Sequence, residues 1–237
     1  YYFDYNGGTY TLKTGVADGS TIVGPMKTGA MKLIDIDGDG KVTANDLSVI
    51  GNSNPKSTGG FVLNANAYGF DLSAAFNYSI GNDVYNANKI MMTSFYQNNQ
   101  NNFGMEVGLD KRWRNYDDMG NDLRYSPEQL AKQNENATMW NPVSIGRPIA
   151  MSYAVEDGSF LRVNNLTVGY SLPVKSLVKM KISKLRFYFT ANNLAVFTKY
   201  TGYDQEVSVR NSQLTPGLDY SAYPKSRSFI FGVNANF

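Results

Sequence analysis

Alternation of apolar and polar residues is the strongest signal along the chain, and it is clearest at the end. Phe229, Phe231, Val233, Ala235 and Phe237 fall on one face of an extended segment, with Ile230, Gly232, Asn234 and Asn236 on the other. The same period of two sets Leu185, Phe187, Phe189 and Ala191 against Arg186, Tyr188, Thr190 and Asn192. It also sets Leu166, Val168, Tyr170 and Leu172 against Thr167, Gly169 and Ser171. Upstream, Phe61 to Tyr68 and Phe70 to Ile80 are two alternating runs joined around Gly69, the pattern of a hairpin with a short turn. These runs predict five strands: a hairpin over 61–80, a second over 160–192 and a terminal strand over 226–237.

The connections between them are unequal. Gly69 makes a tight turn and Pro173 to Lys184 a modest one, whereas 81–159 and 193–225 are long and rich in Asn, Tyr, Gly and Asp. Alternation of short and long connections is the habit of outer-membrane barrels, with turns toward the periplasm and loops toward the outside. Within the first long connection, Ser126, Pro127 and Gln129 fit an N-cap, a proline at the first helical position and a capping-box glutamine, predicting a helix over Pro127 to Asn134. Five strands fall short of the roughly eight that close the smallest membrane barrels, and an open edge in lipid leaves backbone groups unpaired. A membrane reading therefore requires strands beyond these five.

Composition narrows the function classes. Seventeen Tyr, 13 Phe and 22 Gly favour strands and turns over long helices, and the chain reads as all-β. No run reaches the roughly 18 apolar residues of a membrane helix. The opening residues Tyr1, Tyr2, Phe3 and Asp4 lack the basic and apolar regions of a signal peptide, as in a mature or truncated chain. A net charge of +2 without a Lys/Arg-rich run gives no field for a phosphate backbone, so nucleic acid is not an expected partner. With no Cys and no His, thiolate nucleophiles, histidine bases and the usual zinc sets are absent. Asp117, Asp118 and Asp122 are sequence neighbours in a polar loop and read as solvated carboxylates rather than a glycosidase pair, so no enzyme is expected.

The most specific local chemistry lies in the segment 31–55. Asp35, Asp37 and Asp39 stand at positions 1, 3 and 5 of an EF-hand-like loop, Gly40 at its sharp turn, Lys41 where a backbone carbonyl contributes, and Asp46 at position 12. Hard carboxylate oxygens in this spacing suit Ca2+ as a structural cofactor. Aspartate in place of the usual closing glutamate shortens that arm and weakens the expected site. Asp-Gly repeats also form turns without any ion, and Thr43 with Asp46 makes a capping box for a short helix running to Ile50 and stopped by Gly51.

Taken together, the segments 32–55, 69–86, 155–173, 185–207 and 223–237 resemble, in order, blocks of the SusC/RagA group of TonB-dependent outer-membrane transporters of Bacteroidetes. The resemblance implies the C-terminal part of an antiparallel transmembrane barrel of about 22 strands, with long extracellular loops and short periplasmic turns. It implies TonB-dependent import of glycans or oligopeptides, a SusD-like surface lipoprotein as lid, and contact with TonB through an N-terminal part outside these residues. It also makes Phe237, ending an alternating strand, a candidate barrel-assembly signal. In that orientation 31–55, 81–159 and 193–225 are extracellular. Trp113, Trp140, Tyr200 and Tyr203 are then candidates for contact with cargo or lid, alongside Phe197, Tyr220 and Tyr223. The alternative from another class is a secreted, calcium-stabilised β-rich module that binds carbohydrate or serves adhesion.

Overall fold

The computed structural model describes residues 3–6, 9–95, 104–144, 147–177, 181–206 and 215–237. The chain divides into two units, one of residues 1–50 with 87–154 and one of residues 51–86 with 155–237.

The first, here the loop unit, is made of short pieces. Strands β1 (Phe3–Asn6) and β2 (Thr9–Leu12) form an antiparallel hairpin. Helix α1 (Ser20–Val23) begins where the Asp18 carboxylate accepts the Ser20 amide at 2.9 Å. Helices α2 (Ala87–Thr93) and α3 (Pro127–Gln133) lie in the long central connection. The predicted helix is thus present, with Pro127 in its first turn, but Ser126 makes no side-chain cap. Order comes from the other end: Asn134 donates to the carbonyls of Leu130 and Arg114, each at 2.9 Å, and accepts the Arg114 amide at 2.7 Å. Val23, Met31, Ile90, Leu123 and Leu130 are buried in this unit.

The second, the sheet unit, carries the strands that the alternation predicts. β3 (Ser57–Ala67), β4 (Phe70–Ile80), β7 (Phe160–Ser171), β8 (Lys184–Thr198) and β10 (Ser228–Asn236) form one antiparallel sheet in the order β10-β8-β7-β4-β3. The β3–β4 turn consists of Tyr68 at φ 50° and Gly69 at φ 84°, the double left-handed conformation that matches the twist of a two-residue hairpin. A side chain at Gly69 would also strike the Ser171 carbonyl at 2.9 Å. Helix α4 (Val174–Leu177) fills the modest β7–β8 connection.

Both predicted hairpins prove longer than the apolar alternation suggests. β3 begins at Ser57, ahead of Phe61, and β8 runs on to Thr198 past an irregularity at Asn193, φ 49°. The long connections also contain a small sheet of their own. β5 (Asp83–Asn86) pairs antiparallel with β6 (Val155–Asp157) and parallel with β9 (Leu218–Asp219).

Register makes the large sheet two-sided. Val233, Phe187, Tyr170, Phe70 and Ala67 stand in one cross-strand row, and Phe231, Phe189, Val168, Leu72 and Ala65 in the next but one. Phe76 stacks on Phe61 at 4.7 Å and Phe231 lies 4.8 Å from Phe189 on this same apolar face. The opposite face carries Asn234, Arg186, Asp71, Thr167, Thr190 and Asn77. There Arg186 grips Asp71 through two hydrogen bonds of 2.8 and 2.5 Å, passing over Gly169, where a Cβ would meet the guanidinium. The tight turn between β3 and β4 and the β7–β8 connection leave one end of the sheet, and the long connections leave the other.

Candidate functional site

In the loop unit the acidic segment folds as a tight carboxylate cradle. Asp35 accepts the amides of Gly38 at 2.7 Å and Gly40 at 2.9 Å, while Asp39 accepts that of Lys41 at 2.8 Å. Positive φ at Gly38 and Gly40 lets the chain wind this closely. One oxygen from each of Asp35, Asp37 and Asp39 lies within 4.8 Å of the others, a spacing that fits a hard cation such as Ca2+. Asp46 is outside that group. Its carboxylate instead accepts the amides of Ile36 at 2.6 Å and Thr43 at 2.7 Å. The Thr43 and Ile36 N–H groups hold Asp46 below the usual carboxylate range. The capping box of Thr43 and Asp46 forms, but the predicted helix to Ile50 does not: a single turn, Ala44–Asp46, gives way to extended backbone at Leu47. The β-branched Val49 and Ile50 that follow do little to favour its continuation.

A cavity of about 1210 Å³ opens in the same unit, with Ile34, Ile36, Val42 and Asp46 of the acidic segment in its wall. Trp113 and Trp140, far apart in sequence, both line it, together with Tyr153. The Trp113 indole donates to Asn115 at 2.9 Å and lies against Gly29, where a Cβ would come within 2.3 Å of the ring. The Trp140 indole donates to the Thr93 carbonyl at 3.1 Å and meets Tyr153 edge-on at 4.8 Å. Both indole N–H groups are thus satisfied within the protein.

The other candidates part company. Tyr200 is 6% exposed and its hydroxyl donates to Asp219 at 2.6 Å, so it serves the interior of the sheet unit and offers no stacking face to a ligand. Burial, reinforced by Asp219, pushes its phenol well above the ordinary value. Tyr203, Tyr220 and Tyr223 are exposed. Phe197 belongs to β8 and to the apolar face of the sheet, opposite Leu161. Phe237 is exposed beyond the last ladder pair. The loop acids each have local partners: Asp118 pairs with Arg114 at 2.5 Å, Asp117 accepts from Asn121 and Asp122 pairs with Arg124. Hydrogen bonds from Asn121 and Arg124 hold Asp117 and Asp122, respectively, below the usual carboxylate range.

Sequence reasoning missed a buried ion cluster on the polar face of the sheet. Arg162, on β7, places Nη2 2.8 Å from Asp204 and Nε 2.7 Å from Glu206, which also meets Lys225 at 2.6 Å. The Nε contact lacks hydrogen-bond alignment and is electrostatic. Asn77 on β4 donates to Glu206 at 3.2 Å. The segment after β8 is thereby tied down onto β4 and β7. The available signal was an arginine in an alternating strand with two acids shortly after its partner strand.

An antiparallel sheet with one apolar and one polar face, long connections at one end and tight ones at the other is the geometry of an outer-membrane barrel wall. Sequence relatives agree. TonB-dependent receptor P3 of Formosa agariphila is 31% identical over 238 residues, matching 98% of this chain and 21% of its own. The chain is a SusC/RagA-like segment of a TonB-dependent transporter. TonB-dependent receptor SusC of Bacteroides thetaiotaomicron is 29% identical over 150 residues, 60% of this chain and 14% of the relative. Among solved structures, the RagAB peptide importer in its closed-closed state superposes with a TM-score of 0.57 at 25% identity, covering 85% of this chain and 20% of that one. No protein-family model matches the chain. The SusC/RagA-like segment spans about a fifth of the length of the receptor and importer chains just compared.

Proposed function

We propose that this SusC/RagA-like segment is the carboxy-terminal portion of a barrel of about 22 strands that imports glycans or oligopeptides across the outer membrane by TonB-dependent transport. The observation that carries the proposal is the continuous apolar face running through all five strands of the large sheet, backed by a polar face with a satisfied ion pair. In lipid, the edge strands β3 and β10 need partners, which further strands of a longer transporter would supply. A SusD-like lipoprotein would close over the loop-bearing end, and TonB would act through a part of the transporter outside this chain. In the loop unit, Asp35, Asp37 and Asp39, with the Lys41 carbonyl, would hold Ca2+ as a clamp on 31–55, and Asp46 would join by exchanging its backbone donors for the ion. Trp113 and Trp140 would act from one cavity wall.

The test is isolation of the native polypeptide from the organism that makes it. The proposal expects a heat-modifiable barrel in the outer-membrane fraction, several times larger than 237 residues, with a surface lipoprotein copurifying. A protein recovered in the medium without detergent would replace it with the secreted carbohydrate-binding or adhesive module.

A further inference from the structure

The apolar face of the large sheet changes character toward the end from which the long connections leave. There a cavity of about 650 Å³ opens over β4, β7 and β8, with the start of β3 in its wall. Tyr78, Leu161 and Phe197 stand in one cross-strand row of the apolar face, and Ile80 lies two residues beyond Tyr78 on β4. Phe197 is 62% exposed and Ile80 52%. Past them the wall turns polar, where Lys199 and Asp157 line the same cavity. Because β8, β7 and β4 are the inner strands of the sheet, strands added beside β10 and β3 leave this surface uncovered.

The two charges are placed but not spent on each other. Lys199 is exposed and forms no ion pair with a described residue, although Asp157 is near enough for the two charges to act on one another. Asp157 is held in position, its Oδ1 accepting the Ser159 amide at 2.9 Å. An ammonium and a carboxylate therefore stand together at the polar edge of an apolar hollow.

We propose that this cavity seats a membrane lipid with a phosphoethanolamine headgroup. Its acyl chain lies against Phe197, Leu161 and Ile80, its phosphate on Lys199 and its ammonium on Asp157. The order of chemistry along the wall carries the inference: apolar toward the middle of the sheet and charged toward the loop end, as in an amphiphile lying in a bilayer. The volume lies within the range of small-molecule sites. An apolar hollow alone suits any acyl chain, so the pair of charges is what selects. A glycerol headgroup brings its phosphate beside Asp157 with no cation to offset the like charge, and a choline headgroup has no N–H to donate to the carboxylate. The inference rests on the reading of the apolar face as lipid-facing and names a lipid for one place on it.

Native mass spectrometry of the full-length transporter, purified from the outer membrane and stripped of lipid in detergent, tests it. The probes are phosphatidylethanolamine, phosphatidylglycerol and phosphatidylcholine with identical acyl chains. Phosphatidylethanolamine binds most tightly, by roughly fivefold over each of the others, the size of effect that one partly exposed ion pair gives. Lys199→Ala abolishes that preference, Asp157→Asn turns it toward phosphatidylglycerol, and Phe197→Ala weakens all three lipids alike. Unheated-gel mobility verifies that each variant still forms the barrel. Equal affinity for the three lipids, no binding of any, tighter binding of either comparator, or a preference that survives Lys199→Ala or Asp157→Asn overturns the site. A barrel that sits in the outer membrane with its lipoprotein yet gives one of those results loses only the headgroup site. Absence from the outer membrane overturns the transport reading itself.

Discussion

In the large sheet Phe231 is 80% exposed and Val233 58%, while in the loop unit Val23 is 2% exposed and Ile90 3%. The two regions come from one chain, yet the loop unit gathers a small buried core of apolar side chains, whereas the large aromatic and aliphatic side chains on the apolar face of the sheet stay largely exposed. The pieces of the loop unit are short and held by local polar work: the Asn134 clasp, the Asp18–Ser20 turn and the Thr43 capping box. The sheet has regular ladders and tight hairpins but directs its greasy rows outward. Exposed apolar surface of that extent would be an aggregation hazard in water and is the expected finish for a surface that meets hydrocarbon. The difference teaches that the solvent of each region can be read from where its apolar side chains go.

The comparison breaks most decisively at neighbouring positions of β10. Phe231→Lys places a charge on the apolar face and should cost about 2–4 kcal/mol near mid-membrane, seen as reduced barrel yield in the outer membrane. Ile230→Lys, one residue away on the polar face, should leave yield within the small range of ordinary surface changes, about 0.5 kcal/mol. Equal yields from the two variants would abolish the assignment of faces, as would spin labels at Phe231 and Val233 that report water and no lipid.

For the loop unit, the comparable lever is the cation. Ca2+ at a hundredfold excess over its Kd should stabilise the acidic segment by about 2.7 kcal/mol, read as slower proteolysis within 31–55. Chelation or Asp37→Asn should remove that protection while leaving barrel mobility on gels unchanged. Protease resistance indifferent to Ca2+ would leave the cradle as a turn alone.

A smaller effect sharpens the boundary inside the sheet unit. Tyr200→Phe leaves the buried Asp219 without its donor and should cost about 1–3 kcal/mol, detectable as faster cleavage near Thr201–Glu206. Because burial and Asp219 raise the phenol above its ordinary 10.0, the neutral form is favoured when folded. Its contribution is therefore full below about pH 10 and is lost as pH climbs toward the raised value. The Tyr200→Phe variant should lack that alkaline component, and a wild-type protein without one would contradict the burial of this hydroxyl.

The large sheet was legible because its side chains alternate over seven residues or more, long enough for the period to stand out. Ser57 to Gly60 escaped because two glycines carry no pattern, and Ala195 to Thr198 because Asn193 interrupts the rhythm. The three-stranded sheet of β5, β6 and β9 has members of two to four residues, too short for any period. Of the site, the carboxylate cradle was readable because its acids are neighbours in sequence. The sharing of one cavity by Trp113 and Trp140, the interior role of Tyr200 and the ion cluster around Arg162 depend on contacts between distant segments, which local spacing does not encode. Ser126 and Thr43 make the same point for caps: each has a capping-box signature, and only Thr43 forms one.

Two cross-strand pairs join a glycine to a tyrosine: Gly232 opposite Tyr188 on the polar face, and Gly59 opposite Tyr78 on the apolar one. In each, a methyl group on the glycine would collide with the ring, at 2.2 Å for Tyr188 and 2.9 Å for Tyr78. Each ring thus occupies the volume its partner gives up. Descendants of this sheet can enlarge one member of such a pair only by shrinking the other, so the positions should change together or not at all.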